Sequence, residues 1–379
     1  RWSKLCLAAG VLAAFLLIGV AYAVPSTSIL RVFSCFGFDS GHPEQMPQRY
    51  AMVIWHNHPA MRLALTEMKK GHPDFKTLMY RDTFCVLAKE TPLEESVGEY
   101  DWILANHPDW FQKDTRGRRI EVPDYPGEWV MDFANPGWQE FWIRETLKDV
   151  IAGGWDGVFA DDVLTSVQAH AMPPLARYPD DGAYQAAVYQ FLARAYAEFR
   201  KAGKLFIANI SNSYDYPGLL EKWLEVTDGY MEEHFAGEAW GWGDDVAHRQ
   251  LEASRLAVQK GKWVLHMTYG PWSAEKKMRA SLAAHLTVAD RDILWCYRPV
   301  DKADEAPWHP LWQIDLGKPL GGPEVNGPVW SRRFERGISL VNTSKTTQTF
   351  SNGPQKIRLK PFEARLIQEK TPPSLPSAS

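Results

Sequence analysis

The stretch Trp155-Asp156-Gly157-Val158-Phe159-Ala160-Asp161-Asp162 has a counterpart downstream, Asp228-Gly229-Tyr230-Met231-Glu232-Glu233. In each, an Asp-Gly pair opens a short run and a carboxylate follows the glycine after three intervening residues. Asp-Gly is a turn signal, so each run reads as a strand entered through a structural turn and ended by an acid. Side chains alternate along a strand. Equal spacing therefore sets Asp161 and Glu233 at the same height, facing the same way, with Asp162 and Glu232 pointing differently.

Similar runs recur on both sides. Strands are expected at 50–55, 75–80, 129–133, 157–161, 205–209, 229–233, 263–267 and 293–297, with amphipathic stretches between several of them. Phe141, Trp142, Leu147, Val150 and Ile151 give residues 137–152 a helical stripe, and 183–202 carries a similar one. Gly153-Gly154 and Gly203 stand where these helices should stop. Strands alternating with helices make a parallel sheet, and eight of them across roughly 250 residues make an α/β fold of the (β/α)8 TIM-barrel type. The run 29–36 precedes this set and is expected to be an extra strand or lid segment, and the long segment 86–128 to be a loop shaping a cleft.

Beyond the barrel the pattern changes. Residues 321–328 are rich in Gly and Pro, and short strands follow at 337–342, 347–351, 355–359 and 364–368. The expected organisation is a signal peptide (or N-terminal anchor) at 1–23, an N-terminal extension at 24–49, a barrel at 50–320, a small sandwich-like all-β domain at 321–370 and a disordered tail at 371–379. Arg1 and Lys4 precede an apolar run that ends in Ala21-Tyr22-Ala23, the small-residue pattern of a cleavage site. A secreted, periplasmic or cell-surface location follows, with membrane contact only through this segment if it stays uncleaved. Cys35, Cys85 and Cys296 show no metal-ligand spacing, and no metal or cofactor is expected.

The chain of 379 residues carries a formal net charge of −4 and no basic block, so nucleic acid is not an expected partner. Its unusual feature is 17 Trp, with 14 Tyr and 17 Phe. Indole faces stack on the C–H faces of sugar rings, though burial in a core is the commoner fate of a Trp.

Catalytic groups of a TIM barrel lie at the C-terminal ends of its strands. Two carboxylates across that mouth are what hydrolysis of a glycosidic bond needs: one stays ionised, and the other delivers a proton to the leaving oxygen. Asp161 and Glu233 are the catalytic candidates, with Asp162 and Glu232 as alternatives. Arg81, Asp82, Asp132, Asn209, His266 and Tyr269 are polar candidates for gripping a carbohydrate, and Trp240, Trp242, Trp55 and Trp110 are candidate stacking platforms. Two other readings stand beside this one. One is a barrel that binds polysaccharide without cleaving it. The other is a metal-dependent amidohydrolase, suggested by His56-Asn57-His58 after the first expected strand, although Asn209 and Cys296 stand near strand ends that would then carry His and Asp.

The segments His107-Pro108-Asp109-Trp110-Phe111, Trp129-Val130-Met131-Asp132-Phe133-Ala134-Asn135-Pro136 and Asp156-Gly157-Val158-Phe159-Ala160-Asp161 occur in that order. From about Tyr50 to Ile367 the sequence resembles glycoside-hydrolase-like (β/α)8 barrels distantly related to the α-amylase, α-galactosidase and endo-polygalactosaminidase-like groups. The resemblance implies a glycosidase with Asp161 as nucleophile and the acid/base two strands on, where Glu233 stands. One departure bears on specificity: amylase-type barrels carry Arg two residues before the nucleophile, and this chain has Phe159 there.

Overall fold

The computed structural model describes residues 29–369, apart from 38–41, 89–95, 99, 211, 238–244, 303–304 and 306. The expected signal peptide and tail, and Trp240 and Trp242, lie outside the described residues. Among the described residues ten strands precede the C-terminal sheets: β1 (Phe33–Cys35), β2 (Met52–Trp55), β3 (Lys76–Asp82), β4 (Cys85–Leu87), β5 (Glu128–Val130), β6 (Gly157–Val163), β7 (Leu205–Ile210), β8 (Gly229–Glu233), β9 (Trp263–Gly270) and β10 (Ile293–Pro299). Eight of these pair in parallel in the order β1-β2-β3-β6-β7-β8-β9-β10. A parallel bridge between Val32 and Trp295 joins the last strand to the first, making the expected (β/α)8 barrel.

Two strand assignments differ from the sequence reading. The run expected as the third barrel strand, 129–133, contributes β5, which pairs antiparallel with β4 outside the barrel. The first barrel strand is β1, within the run read as an extra strand or lid. An aromatic and β-branched run suits a two-stranded ribbon as well as a barrel, and nothing local to it names its partner. The two shifts cancel ahead of Gly157, so β6 and β8 remain the fourth and sixth barrel strands.

Alternation then sorts the side chains. Phe33, Cys35, Met52, Ile54, Leu78, Phe159, Ile207, Met231, Leu265, Met267, Leu294 and Cys296 fill the barrel interior. The opposite parity, with Val53, Trp55, Met79, Val158, Ala208 and Tyr230, packs under the helices. The Asp-Gly pairs build the floor. A side chain on Gly157 would approach the carbonyl of Leu205 to 2.3 Å, and one on Gly229 the carbonyl of Trp263 to the same distance. Asp156 accepts hydrogen bonds from Thr77 N at 2.8 Å and Thr77 Oγ1 at 2.9 Å, and Asp228 accepts from Phe206 N at 2.9 Å. These carboxylates hold the entrances of neighbouring strands, the structural role expected of them.

The two anticipated helices are Pro136–Ala152, whose start Asn135 caps by accepting from Gly137 N and Trp138 N, and Asp181–Lys201, capped by Asp180. Gly154 and Gly203 take positive φ just past their ends, as a helix stop requires. The C-terminal strands are β11 (Glu324–Asn326), β12 (Val329–Phe334), β13 (Gly337–Asn342), β14 (Gln348–Asn352), β15 (Gln355–Leu359) and β16 (Ala364–Gln368). They form a four-stranded sheet, β11-β12-β13-β16, and a β14–β15 hairpin. Trp330 and Val341 of this sheet pack with Phe235, Leu251, Ala284 and Val288 of the barrel.

Candidate active site

The C-terminal ends of β3, β6, β7 and β8 open onto a cleft of about 570 Å³. Its walls include Tyr80, Asp82, Asp161, Asp162, Asn209 and Glu233 from the strands, with Tyr125 and Glu128 from the long segment after β4 and Thr165, Ser166 and His170 from the loop after β6. The expectation that 86–128 shapes a cleft therefore holds through Tyr125 and Glu128.

Asp161 and Glu233 meet in this cleft. Nδ2 of Asn209 donates to both, at 2.8 Å to Asp161 Oδ1 and 2.6 Å to Glu233 Oε2. Those bonds laid end to end cap the separation of the two oxygens at about 5.4 Å. The remaining donors are local. Asp162 N donates to Asp161 Oδ1 at 2.9 Å, Tyr80 bonds the Asp161 carboxyl, and the Tyr269 hydroxyl donates to Glu233 Oε1 at 2.7 Å. The site thus gives each acid a tyrosine of its own and one amide in common. Burial, with the charges of Asp162 and Glu233 close by, raises the Asp161 carboxyl to about 7. Two like charges this close resist ionising together.

The neighbours named as alternatives part company. In β8 the alternation holds: Glu232 borders the cleft, but its carboxyl turns away from Glu233 to accept from Gln250 Nε2 at 3.2 Å, and burial raises it to about 8. In β6 it breaks. The register slips between Ala160 and Val163, and Asp162 adopts φ +53°, a bulge that turns Asp162 to the cleft as well. There Nε2 of His170 lies 3.7 Å from Asp162 Oδ1, and that contact raises the imidazole.

The polar candidates divide by strand parity. Asp82 faces the cleft, with Oδ1 fixed by Phe84 N at 2.6 Å and Cys85 N at 2.8 Å. Arg81 points the other way, into the helical layer, and bonds Asp149 at 2.7 Å and Ser96 O at 2.5 Å. His266 is likewise behind the barrel wall, stacked on Phe235 and bonded to Ser254 at 2.8 Å and His285 at 3.1 Å. Asp132, displaced with β5, takes Arg177 at 2.6 Å and the Tyr178 hydroxyl. Trp55 is buried, donating to Gly37 O at 2.8 Å, and Trp110 is buried against His107 with ring centres 3.9 Å apart. Of the candidates named from sequence, Asn209, Tyr269 and Asp82 join the carboxylate pair, whereas Arg81, Asp132, His266, Trp55 and Trp110 do not line the cleft. Tyr80, Tyr125 and His170 were not anticipated. Tyr80 was reachable, because it shares inward parity with Asp82.

The His-x-His pair does not converge as metal ligands would. His56 stacks on Phe36 with ring centres 4.6 Å apart, and His58 accepts from Ala60 N at the start of the following helix. Among the described residues one set of three possible ligands comes together, Asp82, Cys85 and Glu128, with ligand atoms within 4.8 Å of one another. The Cys85 thiol donates to Asp82 Oδ2 at 3.3 Å. Burial raises both groups, which favours a neutral hydrogen-bonded cluster over an anionic cage.

A closed parallel barrel with an Asp–Glu pair over its C-terminal mouth is the architecture of a glycoside-hydrolase barrel. The chain belongs to the family described as Hypothetical glycosyl hydrolase family 15, whose family model matches residues 69–338, and it is a glycosidase with a carbohydrate substrate. No curated protein matches the sequence. Among solved structures the chain is similar to the GH31 dextranase FjDex31A of Flavobacterium johnsoniae (10% identity over 91% of this chain and 51% of that one, TM-score 0.52). It is also similar to the glycoside hydrolase domain of PelA from Pseudomonas aeruginosa (14% identity, 72% and 96% covered, TM-score 0.45). A third is the maltogenic α-amylase AmyB of Thermotoga neapolitana (9% identity, 90% and 97% covered, TM-score 0.49). At these identities the likeness is one of fold.

Proposed function

We propose that the protein hydrolyses a glycosidic bond in an oligo- or polysaccharide with retention of configuration, Asp161 serving as nucleophile and Glu233 as acid/base. The observation that carries this is the shared amide of Asn209. An upper limit of about 5.4 Å between one oxygen of each acid supports the roughly 5–5.5 Å spacing of retaining pairs over the 6.5–9.5 Å of inverting ones.

The roles follow from the surroundings. Asp161 accepts from Asp162 N and Asn209, donors that offset part of the rise burial gives its carboxyl and hold it, once ionised, for attack on the anomeric carbon. Glu233 has the longer side chain and keeps 31% of its surface exposed, as a group that protonates a departing oxygen and then deprotonates water requires. In the first step the Asp161 carboxylate displaces the aglycone while Glu233 gives it a proton. In the second, water attacks the glycosyl-Asp161 ester and gives its proton to Glu233. Asp82 and Asp162 supply further acceptors for sugar hydroxyls. The basic, apolar and small-residue order of the first 23 residues supports export. No helix among the described residues is long and apolar enough to cross a membrane.

A glycan-library screen of wild type beside Asp161→Asn and Glu233→Gln tests this reading. Reducing ends should appear with the wild type alone, and equal release by all three proteins would overturn the assignment.

A further inference from the structure

Leu294 and Cys296 of β10 face the barrel interior, and Arg298 continues their row toward the C-terminal mouth. It stands in register with Tyr269 of β9. Its guanidinium carbon lies 4.6 Å from the centre of the Phe36 ring and 5.7 Å from that of Tyr269. A guanidinium only donates and a phenol has one proton to give. Arg298 thus sets a fixed positive charge against the phenol that donates to Glu233 Oε1 at 2.7 Å. Among the described residues the cleft wall holds several carboxylates and no lysine or arginine.

We infer that Arg298 is a positioning residue that acts through Tyr269 on Glu233 and sets the pH range in which the Asp161–Glu233 pair carries a single proton. The inference rests on the catalytic reading of that pair. A fixed positive charge one hydroxyl away favours ionisation of the carboxylates, and a hydroxyl polarised by a guanidinium is a stronger donor.

The groups around Arg298 do not duplicate this charge. Cys35 on β1 and Cys296 on β10 are thiols that burial pushes upward, Cys296 to about 12, so both stay neutral. His56, after β2, is driven down to about 4, by burial first and by Arg298 second. Glu305 borders the same small cavity as Arg298. Around Glu233 stand Asp161, Asn209, Tyr269 and His234, with the charge of Glu233 also felt at Tyr125 and Cys35. Removing the guanidinium charge makes the pair harder to ionise, so both limbs of a bell-shaped pH profile move upward.

The test uses the full chain as wild type, Arg298→Gln, Arg298→Lys and Tyr269→Phe. Without substrate, pH-difference infrared spectra follow the carboxylic acid bands of the pair, assigned by their loss in Asp161→Asn and Glu233→Gln. The midpoint should rise by about one pH unit in Arg298→Gln and by less than half of that in Arg298→Lys, which keeps the charge. It should also rise in Tyr269→Phe, which breaks the link. On a glycan that the wild type cleaves, both limbs of kcat/KM should shift in the same order. Midpoints unchanged in Arg298→Gln, or moved equally in Arg298→Lys, would overturn the inference. If Arg298→Gln does not fold, an unmoved midpoint in Tyr269→Phe overturns it instead. A wild type that cleaves no glycan contradicts the catalytic reading, and the infrared arm then decides the link from Arg298 by itself.

Discussion

Asp161 and Glu233 share one hydrogen-bond donor, the side-chain amide of Asn209, which reaches their oxygens at 2.8 and 2.6 Å. That amide fixes the distance between the acids and offsets part of their mutual repulsion. Asn209→Ala should lower kcat by about 100-fold with a much smaller change in KM, because the lost alignment matters most in the transition state. The acidic limb of its pH–rate profile should also move upward, since the pair loses a donor to its ionised form. Steady-state kinetics across pH check both; an unchanged limb contradicts this role for the amide.

Tyr269→Phe removes the phenolic proton from Glu233 and little else. A drop of about 10–100-fold in kcat is expected, with a stability loss on the order of 1 kcal/mol. Kinetics and denaturant melts together separate the two effects.

Glu232 gives a pH prediction with a definite sign. Its carboxyl titrates near 4.3 when unfolded, and burial raises it to about 8 in the fold. Between those values the native state holds a proton that the unfolded chain has lost, so unfolding free energy falls as pH rises through that window. Glu232→Gln should therefore match the wild type near pH 4, exceed it at pH 8 by something on the order of 4–5 kcal/mol, and keep its activity. Melts at several pH values check the slope. An inactive Glu232→Gln would return this residue to the catalytic candidates.

Arg81→Ala tests the outward parity of β3. The ion pair with Asp149 lies among the helices, with the Arg81 side chain only 3% exposed. A stability loss of about 2 kcal/mol with KM within twofold of the wild type is expected. A large KM effect would place Arg81 in substrate binding.

Much of this architecture was legible because it is written in repeated local signals. Asp156-Gly157 and Asp228-Gly229 mark two strand floors that admit no side chain, and counting four residues on from each glycine reaches Asp161 and Glu233. What stayed hidden depended on pairing. The runs at 33–35 and 129–133 look alike as strands, and only their partners decide which belongs to the barrel. Misplaced parity cost the site list Tyr80 and Arg298 and gave it Arg81 and His266, each one residue from an inward position on its strand. The bulge that turns Asp162 to the cleft follows from a register slip against β7, a property of two strands that neither sequence carries alone. Trp55 and Trp110 went to the core, where large apolar surface gains most from leaving water.

Azide rescue on a cleaved glycan tests the central claim most directly. Glu233→Ala with azide should recover turnover and yield a glycosyl azide of retained configuration by proton NMR, because the ester to Asp161 forms first and azide replaces the water. Asp161→Ala with azide should yield the inverted anomer. Rescue of Glu233→Ala with inversion, or full activity of Asp161→Ala without azide, would contradict the roles assigned to the two acids.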